Sequence, residues 1–164
     1  MNVTVPNYKK CVIIVAPHTS NWDFLIGELF YTAIGRKTNI LMKKEWFFFP
    51  IDILLKHLNV IPVDRSKKTS MTDQLVERVK QQEEFHLAIT PEGTRSANGN
   101  WKKGFYYIAL NANIPIVAYA IDYPTKTITA EKIFTPTGDI EHEMEEIKEY
   151  YSHFRGKNPQ NFKI

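Results

Sequence analysis

The hydropathy pattern of this chain predicts an α/β fold, with a mostly parallel central sheet flanked by helices. Short apolar runs alternate with longer amphipathic ones, the signature of strands covered by their connecting helices. The chain has 164 residues, 43% of them hydrophobic, enough for one domain spanning residues 1–164 to bury a core without disulfides or a structural metal.

Val12 to Ala16 is the first strand, a continuous apolar run fit for burial on both faces. A helix follows from about Asn21 to Ile34, then a strand from Thr38 to Met42 and a helix from Trp46 to Leu58 around Pro50. Asn59 to Val63 reads as a strand, Met71 to Glu84 as a helix and His86 to Thr90 as a strand. A loop from Pro91 to Trp101 leads to a helix from Lys102 to Asn111 and a strand from Pro115 to Ile121. Thr127 to Phe134 alternates weakly and pairs antiparallel with that strand across Asp122-Tyr123-Pro124-Thr125, before a closing helix from Ile140 to Phe154. His18, Arg65 and Glu92 each fall just after a strand. Ligands of open α/β sheets bind at the carboxyl ends of strands, so these segments can converge on one crevice.

Composition narrows the functional classes. Cys11 is the only cysteine and sits in an apolar run, so it reads as a small buried hydrophobe in a protein of the reducing cytoplasm. No apolar stretch approaches the ~20 residues that cross a bilayer, and the amino terminus lacks a secretory pattern; the expectation is a soluble protein, or one peripheral on the inner face of the membrane. The net charge of +3 is too modest to indicate nucleic acid. It conceals an asymmetry: residues 36 to 68 are basic, whereas 139 to 149 are acidic. The basic stretch is interrupted by Trp46 to Leu55 and carries no nucleic-acid motif. The remaining histidines share no metal-ligand spacing, and no Walker loop or dinucleotide fingerprint is present. Trp101, Tyr106 and Tyr107 read as helix packing.

Two segments carry chemistry. In Pro17-His18-Thr19-Ser20-Asn21-Trp22-Asp23, a neutral imidazole can take a proton from a hydroxyl if a carboxylate fixes its tautomer, and Asp23 stands where it can fold back toward His18. A second reading stands beside the first: Ser20 with Asp23 three residues on forms a capping box. Neither Thr19 nor Ser20 sits in a nucleophile elbow. In Pro91-Glu92-Gly93-Thr94-Arg95-Ser96, Gly93 permits a tight turn or close backbone approach and Arg95 supplies a planar fork suited to phosphate. Glu92 can orient Arg95 or meet a substrate hydroxyl.

The order of these segments resembles the glycerophospholipid acyltransferase family, the His-x4-Asp enzymes of the 1-acylglycerol-3-phosphate acyltransferase type. His18 to Asp23 matches its first motif, Val63-Asp64-Arg65 its second, Pro91 to Ser96 its third with Thr90 replacing an aromatic residue, and Ile114-Pro115-Ile116-Val117 its fourth. Ala118 stands where a further proline is often found. The resemblance spans residues 11 to 121 and implies an acyltransferase-like fold. It further implies that His18 is the general base and Asp23 its orienting partner, and that Arg65, Glu92, Gly93, Thr94 and Arg95 form the acceptor site with both arginines on phosphate. Pro115 would shape the acyl-donor side. The donor implied is acyl-CoA or acyl-ACP (acyl carrier protein), the acceptor a lysophospholipid or glycerol phosphate, and neither cofactor nor metal is called for. A phosphate-free acceptor such as a lyso-aminolipid, or a non-catalytic lipid- or carrier-binding module, are the alternatives.

Two departures bear on this resemblance. Many relatives carry membrane-associated helices ahead of the first motif, whereas seventeen residues precede His18. Trp46, Phe47, Phe48 and Phe49, with lysines nearby, can instead contact the membrane or enter the core. Little chain follows the fourth motif, which leaves little material for an elaborated acyl tunnel.

Overall fold

The computed structural model describes residues 6–57, 59–63 and 71–164. In chain order the elements are β1 (Lys10–Ala16), α1 (Asn21–Ala33), β2 (Asn39–Lys43), α2 (Ile51–His57), β3 (Val60–Val63), α3 (Met71–Gln81), β4 (Phe85–Ile89), α4 (Gly104–Ala112), β5 (Ile116–Asp122), β6 (Thr127–Phe134) and α5 (Ile140–Ser152). The strands form one sheet in the order β3-β2-β4-β1-β5-β6. All neighbours run parallel except β5 and β6, which pair antiparallel. This is the α/β architecture expected, including the antiparallel last pair.

β1 lies between β4 and β5, buried on both faces, which is why it reads as an unbroken apolar run. Its alternate residues feed two cores. Val12, Ile14 and Ala16 join Leu75 and Val79 of α3, Phe105, Ile108 and Ala109 of α4, and Met144 and Ile147 of α5. Cys11 and Ile13 point the other way, to Tyr31 of α1, Val117, Tyr119 and Ala130. Burial pushes the Cys11 thiol up to about 12, so it stays neutral and packs as a hydrophobe.

α1 starts where its cap dictates. Ser20 Oγ accepts from Trp22 N–H at 3.2 Å, and Asp23 Oδ2 accepts from Ser20 N–H at 2.8 Å, completing the capping box. The helix stops before Gly35, whose φ of +72° is a left-handed conformation that a side chain would strain.

Trp46 to Leu58 is not one helix. A short 3-10 turn covers Lys44–Trp46, and α2 begins only at Ile51. Pro50 explains the break: it has no N–H to donate and holds the residue before it out of the helical region, so a helix begins after it rather than running through. Phe48 and Phe49 therefore lie on a connection, 51% and 80% exposed.

Beyond α5 the chain turns back along the molecule. Trp101 Nε1 donates to Lys163 O at 3.1 Å, and its ring packs against Tyr151 and Phe162. Trp101 is thus buried in the loop ahead of α4, outside the helix itself. Tyr106 is buried in α4, while Tyr107 is half exposed. Tyr151 is buried beneath the sheet and shares its single hydroxyl proton between Ile14 O at 2.8 Å and Tyr119 O at 3.1 Å. It ties α5 to β1 and β5 together. Tyr151→Phe, which keeps the ring and removes that donor, is expected to lower the unfolding free energy by about 1–2 kcal/mol in urea titration, with an unchanged m-value.

Candidate active site

The sheet order decides which loops can meet. β4 and β5 are the two parallel neighbours of β1, with Ile14 opposite Ile89 and Ala16 opposite Ala120. The loops leaving the carboxyl ends of these three strands are therefore side by side, although they lie far apart in sequence. Pro17 follows β1 directly and, lacking an N–H, cannot continue its ladder. His18 comes next, and its backbone N–H donates to Glu92 Oε1 at 2.8 Å, joining the first of these loops to the second.

Asp23 lies under the same loop with its side chain fully buried. Oδ2 accepts from Thr19 N–H and Ser20 N–H, both at 2.8 Å, and lies 3.4 Å from His18 Nδ1. Oδ1 accepts from Tyr123 Oη at 2.6 Å. Burial pushes this carboxyl up, but the contact with His18 and the hydrogen bonds from Tyr123, Ser20 and Thr19 outweigh it and hold the group below its usual range. The helix cap and the His18 partner are thus one carboxylate, and the two readings of the sequence hold together. The 3.4 Å contact is longer than a well-formed bond, and Nδ1 is buried with no aligned acceptor. Catalytic hydrogen bonds are often loose in a ligand-free site and tighten on binding. With Nδ1 turned to Asp23, Nε2 is the nitrogen left to meet a ligand.

Glu92 has a contact beyond the two roles the sequence suggests. Its side chain is buried, only 2% exposed, and supports the backbone of His18 rather than reaching Arg95. Burial drives its pKa up to about 7; the hydrogen bond from His18 pulls against this, and the charge of Asp23 adds to it. The second oxygen, Oε2, is buried without a hydrogen-bond partner among the described residues.

Past Glu92 the chain makes the tight turn that the sequence suggests. Gly93 has φ of +68°, and a Cβ there would lie 3.3 Å from Lys102 Cγ. Arg95 is exposed, and among the described residues its guanidinium has no hydrogen-bond or ion-pair partner. His18, Thr90, Gly93, Thr94, Arg95 and Ser96 line a polar pocket of about 330 Å³. A second, largely apolar cavity of about 600 Å³ lies between α1 and the sheet, walled by residues such as Val15, Phe24, Gly27, Ile40, Ile89 and Ile121. That volume is typical of a ligand site. His18, Thr90 and Arg95 border both spaces.

The family model described as Acyltransferase matches residues 2–122. The chain belongs to the acyltransferase family. It is 34% identical over 115 residues to a 1-acyl-sn-glycerol-3-phosphate acyltransferase of Limnanthes alba, covering 66% of this chain and 40% of that protein. It is 30% identical over 138 residues to the human 1-acyl-sn-glycerol-3-phosphate acyltransferase beta, covering 80% and 48%. A protein of Mycoplasma pneumoniae named as a probable 1-acyl-sn-glycerol-3-phosphate acyltransferase is 30% identical over 130 residues, covering 69% and 45%. The chain spans less than half the length of these relatives.

Within the matched acyltransferase region, the fold brings together His18, Asp23, Glu92, Gly93, Thr94 and Arg95. Pro115 is not brought to them. It precedes β5, at the amino end of a strand parallel to β1, and its carbonyl accepts from Val12 N–H at 3.0 Å. Seven residues of strand, about 20 Å, separate it from the crevice. Arg65, with Lys67 and Lys68, lies outside the described residues. Tyr123 is the group that sequence reading missed: it lies in a segment read only as a turn. No helix among the described residues is long and apolar enough to cross a membrane.

The environment of Glu92 gives the fold a pH signature. Its pKa is raised from 4.5 to about 7 on folding, so between those values the native state holds a proton that the unfolded chain has lost. Its contribution therefore falls as pH rises through that window, by an amount on the order of a few kcal/mol. Glu92→Gln retains an acceptor for His18 N–H and cannot ionise. Urea titrations at a series of pH values should show a flatter stability profile between about 4.5 and 7 for that variant than for the wild type.

Proposed function

We propose that residues 1–164 act as one O-acyltransferase domain. It transfers a fatty acyl group from a thioester donor, acyl-CoA or acyl-ACP, to the hydroxyl of a glycerol-phosphate or lysophosphatidic-acid-type acceptor. One observation carries this reading: His18 stands between an apolar cavity and a polar pocket bearing Arg95, which has no partner among the described residues. An acyl chain suits the first space, and a phosphate suits the planar guanidinium fork of the second. The hydroxyl to be acylated and the carbonyl to be attacked would then meet at the imidazole. The names of the relatives from Limnanthes alba and human support the same acceptor class.

In this mechanism His18 Nε2 takes the proton of the acceptor hydroxyl while Asp23 steadies the imidazolium through Nδ1. The acceptor oxygen attacks the thioester carbonyl carbon. As the tetrahedral intermediate collapses, the carbon–sulfur bond breaks and the thiolate leaves, recovering the proton from His18. Glu92 supports this sequence by fixing the His18 backbone. Arg95 and the turn at Gly93 and Thr94 bind the acceptor phosphate.

A lysophosphatidic-acid-type acceptor carries an acyl chain and resides in a bilayer, and the surface accords with work at a membrane face. Phe48 and Phe49 are exposed, as are Trp22, Leu25 and Leu29, which share one side of α1. Serine in place of both Phe48 and Phe49 should weaken sedimentation with anionic phospholipid vesicles while leaving transfer to a water-soluble acceptor intact.

The reaction is tested with a panel of phosphate-bearing and phosphate-free acceptors and one labelled thioester. His18→Ala should reduce turnover about a hundredfold to ten-thousandfold. Arg95→Ala should raise the KM of phosphate-bearing acceptors and leave kcat largely unchanged. Near-normal turnover in the histidine variant would defeat the mechanism, and preference for phosphate-free acceptors would defeat the acceptor assignment.

A further inference from the structure

The His18 loop is gripped by parts of the chain that the family match does not include. The match ends at residue 122. The next residue, Tyr123, donates its hydroxyl to Asp23 Oδ1 at 2.6 Å, a contact between residues 100 apart in sequence. Oδ2 is occupied by the two backbone N–H groups of the loop, and the Tyr123 hydroxyl holds the other oxygen, so the carboxylate is fixed at both ends. That orientation keeps Oδ2 facing His18 Nδ1.

A second grip comes from the segment after α5. Arg155 N–H donates to Asp122 Oδ1 at 2.9 Å, and Tyr123 N–H donates to Arg155 O at 3.0 Å, which laces this segment to the end of β5. Three residues on, Asn158 N–H donates to Thr19 Oγ1 at 3.1 Å and Asn158 Nδ2 donates to Thr19 O at 2.9 Å. Between them lies Gly156, which is buried. A Cβ on it would stand 2.5 Å from Thr19 Oγ1, 2.8 Å from Thr19 Cγ2 and 3.1 Å from Pro17 Cβ. No φ in the left-handed region demands glycine here; close approach to the loop does. Pro17 and Thr19 are the two neighbours of His18 in the chain, so this contact sets where the imidazole sits.

We propose that Tyr123, Gly156 and Asn158 are positioning residues for the reaction, holding Asp23 and the Pro17–Thr19 backbone so that His18 is aimed at the junction of the two pockets. The inference rests on the acyl-transfer reading of His18, and it extends the functional unit into chain beyond the family match. None of the three needs to touch substrate.

The experiment compares Tyr123→Phe and Gly156→Ala with wild type in the thioester assay. Each should lower kcat about tenfold to a hundredfold, the effect of a small misplacement of a catalytic group, with acceptor KM within about twofold. On a His18→Ala background neither should cause further loss, because both act through that side chain. Should Gly156→Ala fail to fold, Asn158→Ala takes its place with the same expectations. Independently of turnover, the ring nitrogen signals of His18 in ¹⁵N-histidine-labelled protein, assigned by their absence in His18→Ala, should move in both variants. The signals of the exposed His142 and His153 should stay fixed. Unchanged kcat in the variants while His18→Ala is inactive would overturn the inference and spare the acyl-transfer reading. If the wild type transfers no acyl group, the reading of function fails, and unmoved His18 signals then overturn the positioning role as well.

Discussion

A carboxylate with no access to water is tolerable only if donors replace the water it has lost, and Asp23 organises this end of the molecule by meeting that requirement. Its four partners come from two segments: the loop after β1, which supplies the Thr19 and Ser20 N–H groups and the His18 imidazole, and Tyr123 beyond β5. Starting the helix, shaping the loop and facing the imidazole are thus consequences of one buried charge finding its hydrogen bonds. Loss of any partner leaves part of that charge uncompensated, so local stability and site geometry cannot be tuned apart.

The adjacency of β4, β1 and β5 makes this possible. Parallel neighbours end on the same side, and a central strand has two of them; here one delivers Glu92 and the other Tyr123. The two carboxylates flanking His18 are held in opposite senses. Asp23 is rich in donors and stays ionised, whereas Glu92 has one donor and an orphaned oxygen, and its ionisation is pushed toward neutrality. Difference in hydrogen bonding, rather than in depth of burial, separates them.

Much of this was legible in the chain. The run from Cys11 to Val15 identifies the central strand, Ser20 and Asp23 identify the helix start, and Gly93 identifies the turn that presents Arg95. The readings that missed have separate physical causes. Helical periodicity across Pro50 was overridden by backbone chemistry, and Pro115 carries a label by order that says nothing about which end of a strand it occupies. The sequence offers Glu92 to Arg95 or to a substrate hydroxyl, and only the fold shows the His18 amide beside it. Tyr123 and Gly156 had no local signal at all. Their importance arises from strands and tail meeting across a hundred residues, which no spacing rule reports.

The two faces of the sheet are unequally clothed. α3, α4 and α5 fill one side, while on the other α1 packs through Tyr31, Phe30 and Ile34 near one end and stands off the sheet toward the crevice. Gly27 lies in the part that stands off. Glycine inside a helix costs about 1 kcal/mol relative to alanine, yet a Cβ at this position would meet nothing within 4 Å, and its φ is not left-handed. Neither crowding nor backbone geometry calls for it. What the missing side chain leaves is room, because Gly27 lines the apolar cavity. Part of that room is owed to an atom that is absent, one helical turn past Asp23.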